Sequence, residues 1–379
     1  MAKKILFVLP WLKLGGLERV QVNIANALAE RGYDVTVMAL SPENDFKGEL
    51  SDKVRYIYKP AKPHLVMHRI PYIRNKFYDD GMWETRAFAK QLYKYYVGKE
   101  KYDVEIGFFR GLSVKIISGS TNKNSVKLAW VHSDFKKCLG ITNNFKNMEA
   151  ARRAYGKYDN IICVSDKARQ SFEEVIGFAD KTRVIYNLLP IKKIIDLSKS
   201  PCEMKKDKFT VVSVGHLVEQ KGFDRLINAV GKLNKENYDL DLWIVGYGED
   251  EERLKEIIRA NGIKNVKLLG KRTNPYPYMA QADLYVCSSR YEGYNLTVAE
   301  ALILGKPVLS TDCTGPSEIL GGGKYGAIVD NSEEGLYRGI KELLDNSEKL
   351  RYYIMRAKER ISFFDEDTIV GEITALFRR

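Results

Sequence analysis

Two glutamates, Glu292 and Glu300, lie on either side of a seven-residue spacer in the segment Ser289–Leu309. Glu292 is predicted in a loop after a strand that ends at Cys287, and Glu300 on the helix that follows. Carboxylates suit sugar hydroxyls, while the N–H groups and positive end of a helix N-terminus suit phosphate oxygens. The spacing therefore predicts a site for a ligand with both groups, built from the two carboxylates and the turn formed by Gly293, Tyr294, Asn295 and Leu296. Two glutamates alone would also fit an ordinary polar helix start.

A lysine, Lys221, opens the Lys-Gly-Phe-Asp segment of another predicted helix. A lysine near a helix N-terminus can neutralise a leaving diphosphate, although such lysines are usually solvated charges. His216 precedes it by five residues, and Arg272 lies in the loop Gly270–Tyr278 as a further cation.

The first half of the chain offers two further positions. Gly15 and Gly16 join the first predicted strand to a helix, where they permit close backbone approach to a phosphate or form a plain tight turn. His132 ends the apolar strand Val126–Val131. A histidine there is either a satisfied structural residue or a ligand contact at the sheet edge.

Several motifs in order along almost the whole chain resemble the retaining glycosyltransferases of family 4, which have the two-domain GT-B fold. They are Gly15–Val20, Trp130–His132, Ile185–Asn187, Val214–Asp224, Ile244–Gly248 and the Glu-x7-Glu segment with Gly305–Val308. The resemblance implies a nucleotide-sugar donor. The Gly-x-Gly-x-x-Gly motif of dinucleotide-binding proteins does not occur at Gly15, which disfavours a nicotinamide enzyme.

The resemblance also implies roles for the site residues. Glu292 would contact the transferred sugar, Glu300 the ribose hydroxyls, and His132 the sugar, with Lys221 on the diphosphate. The family pairs that lysine with an arginine five residues earlier, where this chain has His216. A neutral histidine lacks the permanent charge and planar fork of arginine, so either His216 or Arg272 is expected to replace it.

Alternating strands and helices position these residues. A chain of 379 residues exceeds the ~250–300 that one hydrophobic core usually supports, which predicts two domains. Both have the βαβ pattern of doubly wound parallel sheets, so we expect a ligand cleft between the carboxyl ends of the two sheets. The predicted domains are 1–190, which binds acceptor, and 191–361, which binds donor; a helix at about 362–379 packs back on the first. Residues 188–208 are predicted to form a linker without helix.

Charge is divided unequally between the two halves. Residues 1–190 have 32 Lys and Arg against 20 Asp and Glu, while residues 191–379 have 29 of each, so the first half holds the whole excess of +12. The stretch Lys59–Tyr78 contains Lys59, Lys62, Arg69, Arg74 and Lys76 among apolar residues, with no acid. It predicts either docking on an anionic membrane surface or a solvated basic loop. Nucleic acid is not expected, because no recognised motif accompanies the charge.

The remaining composition excludes other classes. The longest apolar runs fall far short of the ~20 residues of a membrane-spanning helix, and no cleavable signal is expected. Five cysteines without a Cys-x-x-Cys spacing indicate neither disulfides nor a zinc site. We therefore expect a cytoplasmic protein, peripheral at the inner face of the cell membrane, without metal or cofactor.

The sequence thus predicts a retaining, metal-independent glycosyltransferase. It would move a sugar from a nucleotide-diphosphate sugar, expected to be a UDP-sugar, to a hydroxyl of a glycan or lipid-linked acceptor. Two alternatives stay open: a nucleotide-sugar epimerase or hydrolase of the same fold, and a non-catalytic module that binds anions or membranes. Sugar, acceptor and linkage are not specified by the sequence.

Overall fold

The computed structural model of the chain describes residues 2–13, 15–59, 86–136, 145 and 147–378. Its contacts divide into two compact units. The first comprises Met1–Leu188 with Glu366–Arg379, and the second Leu189–Asp365. These boundaries lie within a few residues of those placed on the sequence at 190 and 361.

The first unit is built on a parallel sheet of seven strands in the order β3-β2-β1-β4-β5-β6-β7. Val35 and Val37 of β2 and Ile5–Leu9 of β1 are fully buried, as expected when helices cover both faces. The strands are β1 (Lys4–Leu9), β2 (Asp34–Ala39), β3 (Val54–Tyr58), β4 (Val104–Gly107), β5 (Val126–Val131), β6 (Asn160–Cys163) and β7 (Thr182–Val184).

Helices flank this sheet and include one from the far end of the chain. The helices described in the first unit are Gly16–Glu30, Arg86–Tyr96, Leu112–Ser118, Met148–Tyr155, Asp166–Val175 and Glu366–Ala375. The last one buries Ile369, Val370 and Ile373. Arg31, after the first helix, forms ion pairs with Glu366 and Asp367, so the chain terminus is part of this unit.

The second unit has a parallel sheet of six strands in the order β10-β9-β8-β11-β12-β13. Every residue of β9 is buried, which again indicates a sheet covered on both faces. The strands are β8 (Phe209–Val214), β9 (Leu240–Val245), β10 (Val266–Leu268), β11 (Leu284–Cys287), β12 (Val308–Thr311) and β13 (Ala327–Val329). The prediction of two doubly wound α/β domains is confirmed.

The helices of the second unit are Ile191–Ser198, Phe223–Lys235, Glu251–Ala260, Tyr276–Gln281, Leu296–Ile303, Thr314–Ile319, Glu333–Asp345 and Ser347–Arg360, with short 3-10 turns at Glu219–Lys221, Gly321–Gly323 and Ile361–Phe364. One of them contradicts the sequence-based prediction. The proposed linker contains the helix Ile191–Ser198, which buries Ile194 completely and packs against Tyr276–Gln281. A single apolar row within a lysine-rich stretch was sufficient, because tertiary packing outweighs weak local periodicity.

Each sheet has one topological switch point, where the strand order reverses between two neighbouring strands. In the first unit it lies between β1 and β4, and in the second between β8 and β11. Open α/β sheets bind ligands at the carboxyl ends of the strands beside such points. The loops that follow these four strands therefore define where a site is expected.

Candidate active site

The loops after β8 and β11 bring Lys221 and Glu292 together in the second unit. The Lys221 ammonium lies 2.5 Å from Glu292 Oε1. Ser289 Oγ donates to the same oxygen at 2.7 Å and Asn295 Nδ2 at 3.1 Å. The hydrogen bonds to this carboxylate from the described residues all go to Oε1 and none to Oε2. Three donors thus hold one oxygen of a buried carboxylate and leave the other for a ligand.

The two loops are joined by contacts besides this ion pair. Gly222 has φ 63°, and a Cβ there would lie 2.2 Å from the Ser288 carbonyl oxygen, so the close approach after Lys221 requires glycine. Arg290 donates to both carboxylate oxygens of Asp224, at 2.9 and 2.8 Å. This bidentate pair fixes the loop that ends in Glu292 against the helix that follows Lys221.

The charge of Lys221 is retained despite its burial. Desolvation alone would lower the pKa of Lys221, but the negative charge and hydrogen bond of Glu292 outweigh it, and the net pKa lies above its ordinary value. The pKa of His216 lies below its ordinary value, because neighbouring atoms desolvate the ring and Lys221 disfavours a second positive charge. His216 is exposed and packs edge-on against Tyr247, with ring centroids 4.5 Å apart. It is thus a neutral group near neutral pH.

The turn after Glu292 ends in a capped helix. Asn295 has φ 72° and lies at the N-cap of Leu296–Ile303, where its Oδ1 accepts a hydrogen bond from the Val298 amide at 3.2 Å. The chain itself therefore satisfies part of the first turn that was predicted to serve phosphate. Glu300, on this helix, is 4% exposed, and Tyr276 OH donates to its Oε1 at 3.0 Å.

Arg272 is not connected to these residues. Its guanidinium pairs with Glu203 at 3.0 Å and lies over the Tyr278 ring, 5.8 Å from the centroid. Among the residues that the structure describes, these are the partners of Arg272. The structure therefore gives no contact through which Arg272 replaces the cation missing at His216.

In the first unit, Gly15 lies at the N-cap of the helix Gly16–Glu30. A Cβ on Gly15 would lie 2.3 Å from Glu18 Oε2, so the buried Glu18 carboxylate folds back over the glycine. Trp11 Nε1 donates to Glu18 Oε1 at 2.9 Å, and burial raises the pKa of Glu18 above its ordinary value. The helix end predicted to receive a phosphate is thus already beside a carboxylate of the chain.

His132 follows β5, which lies next to β4 and one strand away from the switch point of the first unit. Its Nε2 donates to the Phe108 carbonyl oxygen at 2.9 Å, and its ring lies 4.7 Å from that of Phe108. Burial lowers the pKa of His132 to about 4, so the ring is neutral at pH 7. Nδ1 is buried without a partner among the described residues. Nε2 is thus bonded to a backbone carbonyl and Nδ1 is buried, which favours the structural role over direct ligand contact.

The predicted membrane stretch lies mostly outside the described residues, and so do Lys62, Arg69, Arg74 and Lys76. Lys59 is described, and its ammonium donates to the Tyr96 carbonyl oxygen. Positive charge is concentrated elsewhere in this unit, around a cavity of about 1080 Å³ lined by six cations and one carboxylate. The cations are Lys90, Lys115, Lys123, Arg152, Arg153 and Lys157. Residues 119–123 precede β5 and Lys157 precedes β6, so this part of the lining lies at the amino ends of strands, opposite His132.

Two features are absent from the described part of the chain. It contains no helix long and apolar enough to cross a membrane. It also contains no group of three or more His, Cys, Asp or Glu side chains placed to hold a metal ion.

The structure therefore connects Lys221, Glu292 and Asn295 directly and places Glu300 on the adjoining helix. Gly15, Gly16 and His132 belong to the other unit. Four residues with a part in these contacts were not identified from the sequence: Ser289, Tyr276, Glu18 and Trp11. Ser289 and Glu18 lie inside recognised motifs, so their positions in the sequence could have identified them. Tyr276 lies 24 residues from Glu300, and nothing in the sequence connects the two.

Comparison with known proteins covers both units. Residues 14–192 match the family described as Glycosyltransferase Family 4, and residues 196–360 match Glycosyl transferases group 1. Together the two matches leave only the termini and a few residues between the units unassigned.

Individual relatives match over nearly their full lengths. An uncharacterized glycosyltransferase of Haemophilus influenzae is 29% identical over 375 residues, which cover 95% of each chain. The lipopolysaccharide core biosynthesis glycosyltransferase LpsE of Rhizobium meliloti is 26% identical over 96% of this chain and 93% of its own. Among solved structures, Anabaena HepE in complex with UDP superposes with a TM-score of 0.76 at 20% identity, covering 98% of both chains. At 20% identity, the similarity to HepE shows a shared fold.

Proposed function

Because the chain belongs to the glycosyltransferases of the group 1 and family 4 type, with the GT-B fold, we propose that it transfers a sugar from a UDP-sugar to a hydroxyl of a glycan or lipid-linked acceptor. The relative LpsE, named for lipopolysaccharide core biosynthesis, supports the acceptor class. HepE, solved with UDP, supports the nucleotide. Retention of configuration and independence of metal are part of the proposal and rest on the family resemblance.

The observation that supports this function most is the arrangement of Lys221 and Glu292 at the switch point of the second unit. A nucleoside diphosphate is strongly anionic, and Lys221 retains its positive charge there. An incoming diphosphate competes with Glu292 for the ammonium. Ser289 and Asn295 keep Glu292 Oε1 in place when Lys221 shifts to the phosphate, since both donate to that oxygen independently of the lysine.

Glu292 then presents Oε2 to the transferred sugar. A carboxylate held by two neutral donors accepts hydrogen bonds from sugar hydroxyls in a fixed orientation, which favours the reactive geometry. Glu300, buried on the adjoining helix, is proposed to accept from the ribose hydroxyls. The two carboxylates therefore have different tasks: Glu292 orients the reacting group, and Glu300 binds the part of the donor that does not react.

The leaving diphosphate requires stabilisation as its charge develops. Lys221 supplies a full positive charge, and the backbone amides of the turn Gly293–Leu296 supply dipoles. His216 is neutral and exposed, so it can donate one hydrogen bond but cannot replace an arginine. We propose that a leaving phosphate oxygen accepts the proton of the attacking hydroxyl on the same face of the sugar.

The first unit is proposed to bind the acceptor. His132 orients the loop after β4 through its bond to Phe108, and a direct contact with the sugar rests on the family resemblance alone. Docking at an anionic membrane surface is supported by the charge excess of residues 1–190. Such docking would raise the local concentration of a lipid-linked acceptor.

Calorimetry with UDP, GDP, ADP and their sugar derivatives tests the donor. We expect UDP and one UDP-sugar to bind to the full chain, and Glu300→Ala to weaken that binding. If no nucleoside diphosphate or nucleotide sugar binds, the proposed function is wrong. Product analysis with and without a glycan acceptor then separates transfer from epimerisation, which needs no acceptor, and from hydrolysis, which releases free sugar.

A further inference from the structure

Tyr276 and Glu300 form a buried hydrogen bond that no motif predicted. Tyr276 is 5% exposed and Glu300 is 4% exposed, and the phenol OH donates to Oε1 at 3.0 Å. The two residues come from different elements: Tyr276 begins the helix Tyr276–Gln281, and Glu300 lies on Leu296–Ile303. Because the hydrogen bond joins side chains on two helices, it fixes the orientation of both side chains.

The position of Tyr276 is itself fixed by the fold. Asn274 Oδ1 accepts from the Tyr276 amide at 3.2 Å, and Asn274 Nδ2 donates to the Leu197 carbonyl oxygen at 2.9 Å. The helix Ile191–Ser198 packs against Tyr276–Gln281. These contacts hold Tyr276, and with it the phenol oxygen, in a fixed position.

Because Glu300 is buried, this hydrogen bond contributes to stabilising its carboxylate. Transfer of a charged carboxylate out of water is costly unless donors compensate for the lost hydration, and the tyrosine OH is one such donor. Three rotatable bonds separate the Glu300 carboxylate from the helix backbone. A donor on Oε1 restricts rotation of the carboxylate plane, so the direction in which it accepts further hydrogen bonds is set before a ligand arrives.

We propose that Tyr276 is a positioning residue for nucleotide recognition, which orients Glu300 so that the site distinguishes a ribose from a deoxyribose. This inference rests on the proposed function, in which Glu300 accepts from the ribose hydroxyls. A vicinal diol presents two donors in a fixed geometry, and only an oriented carboxylate accepts both well. Loss of the phenol OH therefore reduces discrimination between ribose and deoxyribose more than it reduces general affinity for the diphosphate.

The test compares UDP with 2′-deoxyuridine diphosphate by calorimetry on the full chain, for wild type, Tyr276→Phe and Tyr278→Phe. The last variant is a matched control, because Tyr278 lies on the same helix, is also 5% exposed, and contacts Arg272 instead of Glu300. We expect wild type and Tyr278→Phe to prefer UDP by roughly 10-fold or more, as in sites built to bind a hydroxyl. In Tyr276→Phe we expect that ratio to fall by about 5-fold, the equivalent of one hydrogen bond.

Each outcome decides between the inference and the proposed function. Equal weakening of both nucleotides in Tyr276→Phe, or an unchanged ratio, overturns the inference and leaves the donor assignment intact. Failure of wild type to bind UDP, and equally GDP and ADP with their deoxy forms, overturns the proposed function instead. Thermal unfolding of the two phenylalanine variants shows whether a lost preference reflects the site or a general loss of folding.

Discussion

The two units differ in the charged groups that lie at the carboxyl edges of their sheets. In the second unit, the Lys221 ammonium lies 2.5 Å from the Glu292 carboxylate, which raises the pKa of Lys221 above its ordinary value despite desolvation. In the first unit, the carboxyl edge holds the neutral His132, which follows β5 one strand away from the switch point and lies against Phe108, with its pKa lowered to about 4. The difference indicates that the second unit places a charged pair at the carboxyl edge of its sheet, while the first unit places a neutral ring there. Changes at Glu292, at His132 and at Gly15 test this comparison.

The largest effect is expected from Glu292→Ala. Removal of the carboxylate leaves the Lys221 ammonium poorly solvated, because this side chain is only 22% exposed. We expect the free energy of unfolding to fall by about 3 kcal/mol, the lower end for a broken buried pair. Turnover should fall as well, because the sugar loses its orienting group. Chemical denaturation and initial rates measure the two effects.

A double variant sharpens this prediction. Lys221→Met with Glu292→Leu removes both charges, so most of the lost stability should return while activity does not. Glu219→Ala, at an exposed carboxylate in the turn before Lys221, is the control and should behave as wild type. Wild-type stability of Glu292→Ala would show that the pair is solvated, and the contrast between the units would disappear.

An effect that appears only below neutral pH is expected in the first unit. The pKa of His132 is lowered from 6.5 to about 4, so the unfolded chain binds a proton at higher pH than the folded chain does. The contribution of the neutral His132 ring to the free energy of unfolding is fully present above pH 6.5 and is lost as the pH falls towards 4. The free energy of unfolding changes by at most about 1.4 kcal/mol per pH unit in this range. Denaturation of wild type and His132→Gln across this range measures the difference. Parallel curves for the two proteins would mean that the ring is solvated and able to carry charge.

The smallest effect is expected at Gly15→Ala. The new Cβ would lie 2.3 Å from Glu18 Oε2, but a flexible side chain can move away, and Gly15 has φ −165°, which any residue adopts. The cost is the hydrogen bond from Trp11, about 1 kcal/mol. Trp11→Phe should give the same loss by thermal unfolding, and the double variant should lose no more than either single variant. Additive losses would show that Glu18 does not occupy the space over the glycine.

The strands were the most predictable part of the fold. Their apolar, β-branched runs are bounded by glycine, proline or charge; β5 spans Val126–Val131 and β11 ends at Cys287, as the sequence predicts. The helix Ile191–Ser198 was missed because its apolar row is short and its lysines suggest a linker. What stabilises it is contact with Tyr276–Gln281, which local sequence does not contain.

The site was predictable where its members are close in sequence or belong to a recognised motif. Glu292, Asn295 and Lys221 are identified from the sequence and do meet in the structure. Arg272 was chosen for its charge, and its pairing with Glu203 depends on side-chain geometry that spacing does not reveal. Glu18 over Gly15 and Tyr276 beside Glu300 likewise depend on how separate elements pack.

The position of the last helix affects how the protein is made. The first unit is complete only with residues 366–379, since Phe377 is buried, its ring lies 5.6 Å from that of Tyr33, and its carbonyl oxygen accepts from Lys3 at 2.8 Å. A ribosome must synthesise all of Leu189–Asp365 before that helix emerges. At ~5–20 residues per second this interval lasts roughly 10 to 35 s, during which the nascent first domain exposes the apolar surface that the helix later covers. Chaperone demand during translation is therefore expected to exceed that of a chain whose domains are contiguous, and removal of the last fourteen residues should make this temporary exposure permanent.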